Sequence, residues 1–312
     1  MRRNSDGDAA AEALLAALRA RIRDAVPGDA EQQARAMVRR EVLRWISGVL
    51  QAELEPAVLV KGAALAMTHY EQPWHRPMSD IDLLVVPEQQ ERVVAALQSA
   101  GAILTPILNR PWTTPALGER HLVRQMGAVT QLIEVHRAFD KIVPRPVDTA
   151  AILTRGTPAT DFPQLIIPCA EDQFLLVALH AAFSDFQHPN AWVDLSRLLE
   201  RRLDWAAVLQ RAEQWRMQTA LYVVLESLNF VVPGSLSTEQ IQPLRPNRLR
   251  RRWILSQYQL GSYPLQDRPK RQGLAWMVGQ TPMRDDLAHW GIGLMRYAVQ
   301  RALERGGLGA GL

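Results

Sequence analysis

A chain of 312 residues, 47% of them apolar, is long enough for two abutting units that each bury a core. Its formal charge of +4 and pI near 9.6 fall short of the bias of a dedicated nucleic-acid binder but suit an anionic substrate such as a nucleotide. A lone cysteine, Cys169, excludes a disulfide framework and a thiolate zinc cluster. With no apolar stretch behind Arg2-Arg3 and no membrane-length apolar run, the expectation is a cytoplasmic protein.

Leu14, Leu15, Leu18 and Ile22 recur at helical spacing and predict a helix over 9–25. Met37, Val38, Val42, Leu43 and Ile46 predict a second over 30–54, with Pro27-Gly28 as the break. At Pro56 the pattern changes. Ala57–Val60 is a short apolar run bounded by Pro and Gly, hence a buried strand, and an alanine-rich helix follows over 62–70. Ile81–Val86 is a second strand. Pro87 opens a helix over 88–100 that Gly101 ends. Residues 102–135 are short strands and loops, the best strand being Gln131–Val135. Residues 163–168 are a boundary, and beyond 170 the chain is almost wholly helical: 171–182, 191–201 and 205–215, the last capped by Asp204. A Pro- and Ser-rich connector over 231–249, a final helix over 283–305 and a frayed tail complete the chain. The fold class expected is α+β, a mixed sheet flanked by helices with a helical C-terminal domain. Its divisions are 1–55, 56–168 and 169–312.

The chemistry concentrates in Arg76-Pro77-Met78-Ser79-Asp80-Ile81-Asp82-Leu83-Leu84-Val85. Alternate strand residues share a face, so Asp80 and Asp82 stand side by side while Ile81 and Leu83 enter the core. Two carboxylates that close repel unless a cation neutralises them, and oxygen ligands suit Mg²⁺. Glu134, in Leu132-Ile133-Glu134-Val135-His136, is the third carboxylate if its strand lies beside the first; His136 shares its face. Three such groups can hold two metal ions about 3.5–4 Å apart, the usual clamp for displacement at phosphorus. An Asp-x-Asp alone is weak evidence, being common at polar strand edges. Upstream, Val60-Lys61-Gly62-Ala63-Ala64 runs from strand into helix. Gly62 allows close backbone approach, and the helix start offers N–H groups to phosphate. Lys61 is one of only three lysines, and it can meet a phosphate as a point charge. Arg76 can do the same or orient the Asp pair.

Lys61-Gly62-Ala63-Ala64-Leu65-Ala66, Tyr70, Arg76 to Val85 and Glu134-Val135-His136 together resemble the polymerase-beta-like nucleotidyltransferase superfamily, and most its uncharacterised bacterial branch. The similarity extends through Ala170-Glu171-Asp172-Gln173, His180, Trp192-Val193-Asp194-Leu195 and Leu203-Asp204-Trp205, covering about Val58 to Leu228. The resemblance implies Mg²⁺-dependent transfer of a nucleotidyl group from a nucleoside triphosphate. Asp80, Asp82 and Glu134 would be metal ligands, and Gly62, Ala63, Lys61, Arg76 and Ser79 would be at the triphosphate. Two departures stand out: the hydroxyl usually found after the glycine is replaced by Ala63-Ala64, and the gap from Gly62 to Asp80 is long.

His136 and Asp194 are candidates on the acceptor side, Asp194 as a base for the acceptor hydroxyl or else a helix-surface residue. His180, Asp185 and His188 have no standard zinc spacing, and His180 is expected as a buried, hydrogen-bonded histidine. Arg245, Arg248, Arg250, Arg251 and Arg252 form a solvated connector or an RNA-phosphate patch. The acceptor, whether small molecule, peptide or RNA, is not legible. Two rival readings are a nucleotidyltransferase-fold toxin acting on tRNA or protein and a non-catalytic nucleotide- or partner-binding protein.

Overall fold

The computed structural model describes residues 5–23, 29–105, 118–140, 142–258, 271 and 273–305. The break expected at Pro27-Gly28 and the tail after 305 lie outside the described residues. Contacts divide the chain into two compact units, Pro27–Gln173 with Ala288–Leu312, and Met1–Val26 with Phe174–Leu287.

The first unit is built on a seven-stranded mixed sheet, so the α+β class expected from the sequence is found. Its elements are α2 (Ala30–Glu53), β1 (Ala57–Val60), α3 (Lys61–Thr68), β2 (Asp80–Leu84), α4 (Gln90–Ser99), β3 (Ile103–Leu104), β4 (Glu119–Met126), β5 (Val129–His136), α5 (Thr149–Arg155), β6 (Thr157–Ala159) and β7 (Phe162–Ile167). α1 (Ser5–Arg23) belongs to the other unit. The strand order is β3-β4-β5-β2-β1-β7-β6. β2 pairs antiparallel with β1 and parallel with β5, and β7 runs parallel to β1. The stretch 163–168, read from its prolines as a boundary, therefore carries a strand that hydrogen-bonds beside β1.

One sheet face is apolar and covered. Leu59, Ile81, Leu83, Ile133, Val135, Leu122 and Leu165 pack with Val42, Leu43, Ile46 and Leu50 of α2 and Val93, Val94 and Leu97 of α4. The period of two along each strand and the 3.6-residue period along each helix meet here, which fixes which strand faces look inward. Asp29 caps α2 by accepting from the Gln32 N–H at 2.8 Å. Gly156 joins α5 to β6 under close cover: a Cβ there would press on Ile166 and lie 2.7 Å from the Ile167 carbonyl oxygen. Gly156→Ala should therefore cost about 1–3 kcal/mol. An unchanged denaturation midpoint would show instead that β6 yields freely.

The second unit is helical, with α7 (Pro189–Leu199), α8 (Trp205–Gln214), α9 (Gln218–Val231), α10 (Thr238–Ile241), α11 (Arg248–Gln257) and α12 (Gly273–Gln280). α6 (Ala170–Phe183) carries the division between the units, and α13 (Leu287–Arg305) is the last described helix. α9 is buried along most of its length, and Arg19 of α1 donates to the carbonyls of Val231 at 2.8 Å and Phe230 at 3.1 Å. Asp204 caps α8 as expected, accepting from Ala206 and Ala207. His180 stacks on His188, while Asp185 is held by Arg271. The expected connector contains α10, and its arginine cluster runs into α11, where Arg251 donates to the Tyr222 hydroxyl at 3.2 Å. Among the described residues no helix is long and apolar enough to cross a membrane.

Candidate active site

The face of the sheet opposite the α2–α4 core carries the charges. Asp82 stands opposite Glu134 in the parallel register of β2 and β5, so residues 52 positions apart become cross-strand neighbours. In the antiparallel register of β5 and β4, Glu134 faces His121 and His136 faces Glu119. Asp80 lies two residues along β2 from Asp82, on the same face.

The contacts are short. Lys61 Nζ donates to Asp82 Oδ1 at 2.5 Å and is 4.0 Å from Glu134 Oε2. His136 Nε2 is 2.9 Å from the same Asp82 oxygen and 3.3 Å from Glu134 Oε2. His121 Nε2 is 3.6 Å from Glu134 Oε1 and 3.7 Å from Glu119 Oε1. Asp82 and His136 are buried, at 3% and 4% exposure. Lys61 adopts φ +52°, a left-handed conformation unfavourable for a residue with a Cβ. That conformation occurs where β1 turns into α3, next to the carboxylates.

Electrostatics follow from crowding in a dry place. Burial, then the charges of Asp82 and Glu134, push the Asp80 carboxyl up to about 6. For Asp82 burial opposes ionisation, yet Lys61 and His136 outweigh it and hold the group below the usual carboxylate range. Glu134 is likewise lowered: burial opposes it, but the hydrogen bond from His136 and the positive charges of His136 and Lys61 outweigh burial. Lys61 and His136 are raised although burial opposes their charged forms, because the carboxylates beside them stabilise the cations.

The remaining sequence candidates are placed as follows. Gly62 and Ala63 are buried at the start of α3, and a Cβ on Gly62 would lie 2.8 Å from Arg76 Nη1. Glycine there lets the Arg76 guanidinium close on the helix start. Arg76 donates to the Pro77 carbonyl at 2.9 Å. Ser79 is exposed, and its carbonyl accepts from Gln131 at 2.9 Å. Asp194 is buried at 2% in α7, in the other unit. Sequence reasoning passed over Glu119 and His121. Their alternation in Glu119-Arg120-His121-Leu122 was a usable signal, but this stretch was read as loops and short strands although β4 has eight residues.

The donor set fits a divalent cation. Ligand atoms of Asp82, Glu134 and His136 lie within 4.8 Å of one another, as do those of Glu119, His121 and Glu134. The carboxylates suit Mg²⁺ or Mn²⁺, and the imidazole among them favours transition-metal ions over Mg²⁺. The tightest group is thus two carboxylates with a histidine, and Asp80 adds charge beside it.

A family model described as uncharacterised nucleotidyltransferase matches residues 5–230. No curated protein and no solved structure matches the chain.

Proposed function

The chain belongs to the uncharacterised nucleotidyltransferase family, and from that premise we propose that it moves a nucleoside monophosphate, or a related phosphoryl group, from an NTP to a hydroxyl or phosphate of an acceptor. One observation carries the proposal: the parallel register that sets Asp82 against Glu134, with Asp80 on the same face. Asp82, Glu134 and His136 would hold a divalent cation. Bound there, the ion would offset triphosphate charge and lower the pKa of the attacking hydroxyl. Asp80, kept short of counter-charge, makes the face more attractive to a cation. Gly62 clears space at the start of α3 for Arg76, whose guanidinium is suited to a phosphate oxygen. Ala63 and Ala64 supply no hydroxyl there, so phosphate contact falls to backbone N–H groups and Arg76.

The test uses NTPs labelled at the α or γ position, with Mg²⁺ or Mn²⁺ and separate pools of small-molecule, peptide and RNA acceptors. The α label should appear in a product of the wild type and disappear with EDTA or in Asp82→Asn; a γ label in product would mark phosphoryl transfer. Equal labelling by the wild type and Asp82→Asn sinks the proposal. One observation favours a second reading, in which the chain binds nucleotide without turnover: the Lys61 ammonium already neutralises Asp82. Saturable NTP binding by calorimetry with no labelled product in any pool would support that reading.

A further inference from the structure

A pocket of about 260 Å³ opens in the sheet unit beside the segment that leads into β2. Arg35 and Arg39 of α2 line it, together with Trp74, Arg76 and Met78. Arg39 is only 7% exposed. Its Nη2 donates to the Met78 carbonyl at 2.8 Å, while its Nε is buried with no hydrogen-bond partner. A buried guanidinium with no carboxylate bonded to it is costly, and an anion in the pocket would offset that cost. Burial, then the neighbouring Arg76 charge, bring the Arg39 guanidinium down to about 10. Two like charges held together in a partly dry pocket are stabilised by an anion between them.

Two carboxylates also line the pocket, and both are engaged at the first turn of α2. Asp29 Oδ1 accepts from the Gln32 N–H, and Glu31 forms an ion pair with Arg35 at 2.7 Å. Neither answers Arg39, which forms no ion pair among the described residues. We propose that this pocket binds a phosphate group, with the Arg39 and Arg76 guanidinium groups as donors and Trp74 as a wall. Arg76 also borders Gly62, and Met78 lies two residues before Asp80, so the pocket adjoins the segment that enters β2. Only the source of the phosphate, nucleotide or phosphorylated acceptor, rests on the transfer proposed above; the anion chemistry rests on the arginines.

Calorimetric titration of pyrophosphate in EDTA tests this on the full chain, with Arg39→Gln, Arg35→Glu and Asp82→Asn beside the wild type. Wild type and Asp82→Asn should bind alike. Arg39→Gln should bind about 10- to 100-fold more weakly, as loss of a charged hydrogen bond predicts. Arg35→Glu should be several-fold weaker; Arg35 is exposed, so this variant decides the matter if Arg39→Gln does not fold. Absence of binding by the wild type at millimolar pyrophosphate, or wild-type affinity in both arginine variants, overturns the assignment. Competition between ATP and pyrophosphate identifies the nucleotide as the phosphate source, and simultaneous binding identifies the acceptor. If Asp82→Asn keeps transfer activity but Arg39→Gln loses pyrophosphate, the cation site proposed at Asp82 falls and the pocket stands.

Discussion

Lys61→Met should lower the stability of the metal-free protein by about 3–5 kcal/mol at pH 7, the cost of removing one partner from a buried ion pair. The Lys61 side chain is 13% exposed and that of Asp82 4%, so water cannot replace the ammonium at 2.5 Å. Methionine keeps the stem and its packing, which isolates the charge. The remaining partner, His136, sits 2.9 Å from Asp82 and is shared with Glu134, so it compensates only in part. Mn²⁺ or Mg²⁺ should restore much of the loss, because a cation at the carboxylates replaces the missing charge. Urea denaturation with and without metal reads both effects. A variant as stable as the wild type in EDTA would show that Lys61 does not neutralise the cluster.

Asp80→Asn should do the opposite to stability and still slow activity sharply. The folded-state pKa of Asp80 lies near 6, above its ordinary 3.8. A carboxyl raised on folding holds its proton more tightly in the native state. Stability is therefore lost as pH climbs from about 4 to about 6 and stays lost above that. At 1.36 kcal/mol per pK unit the penalty reaches about 1–3 kcal/mol at pH 7.5, allowing for partial solvent screening. Asparagine carries no charge, so the variant should gain about that amount at pH 7.5 and little at pH 4. The same substitution should slow transfer about a thousandfold, since the face would hold less firmly the cation that offsets charge at the phosphates. Thermal melts at the two pH values, paired with the labelled-NTP assay, check both halves. A gain equal at both pH values would assign it to packing rather than charge.

The two expectations have one origin. A face that gathers Asp80, Asp82, Glu134 and Glu119 works against folding, and Lys61, His136 and His121 offset that cost unevenly. Asp82 receives most of the compensation and Asp80 the least, which leaves Asp80 as the group a cation would relieve. Such stored instability is common where function needs charge that folding does not.

Much of this was legible from residue order. Asp80 and Asp82 share a face because strands alternate, and Ile81 and Leu83 confirm which side is buried. The same rule put Glu134 with His136 and predicted α2, β1 and β2 within a few residues of their ends. Other parts were hidden. β7 was masked by Pro163 and Pro168, residues that normally punctuate chains, and its parallel partner β1 lies about a hundred positions earlier. Glu119 and His121 had the alternation but lacked a known neighbour. Arg39 looked like any polar position of an amphipathic helix, and only its bond to the Met78 carbonyl marks it as buried. Lys61 lies against Asp82, a pairing that residue order does not show, and its backbone there is left-handed, which no propensity forecasts for lysine.

What residue order alone determined was local: which side chains share a strand face and where helices start. Those properties depend on periods of two and 3.6 residues and need no partner. What only the tertiary structure decided was pairing: the order β4-β5-β2-β1, the register that sets Asp82 against Glu134, and the lysine that answers them. Register and order are chosen by burying one whole sheet face against α2 and α4, a collective balance of apolar area and hydrogen bonds that is not encoded in any short stretch of chain.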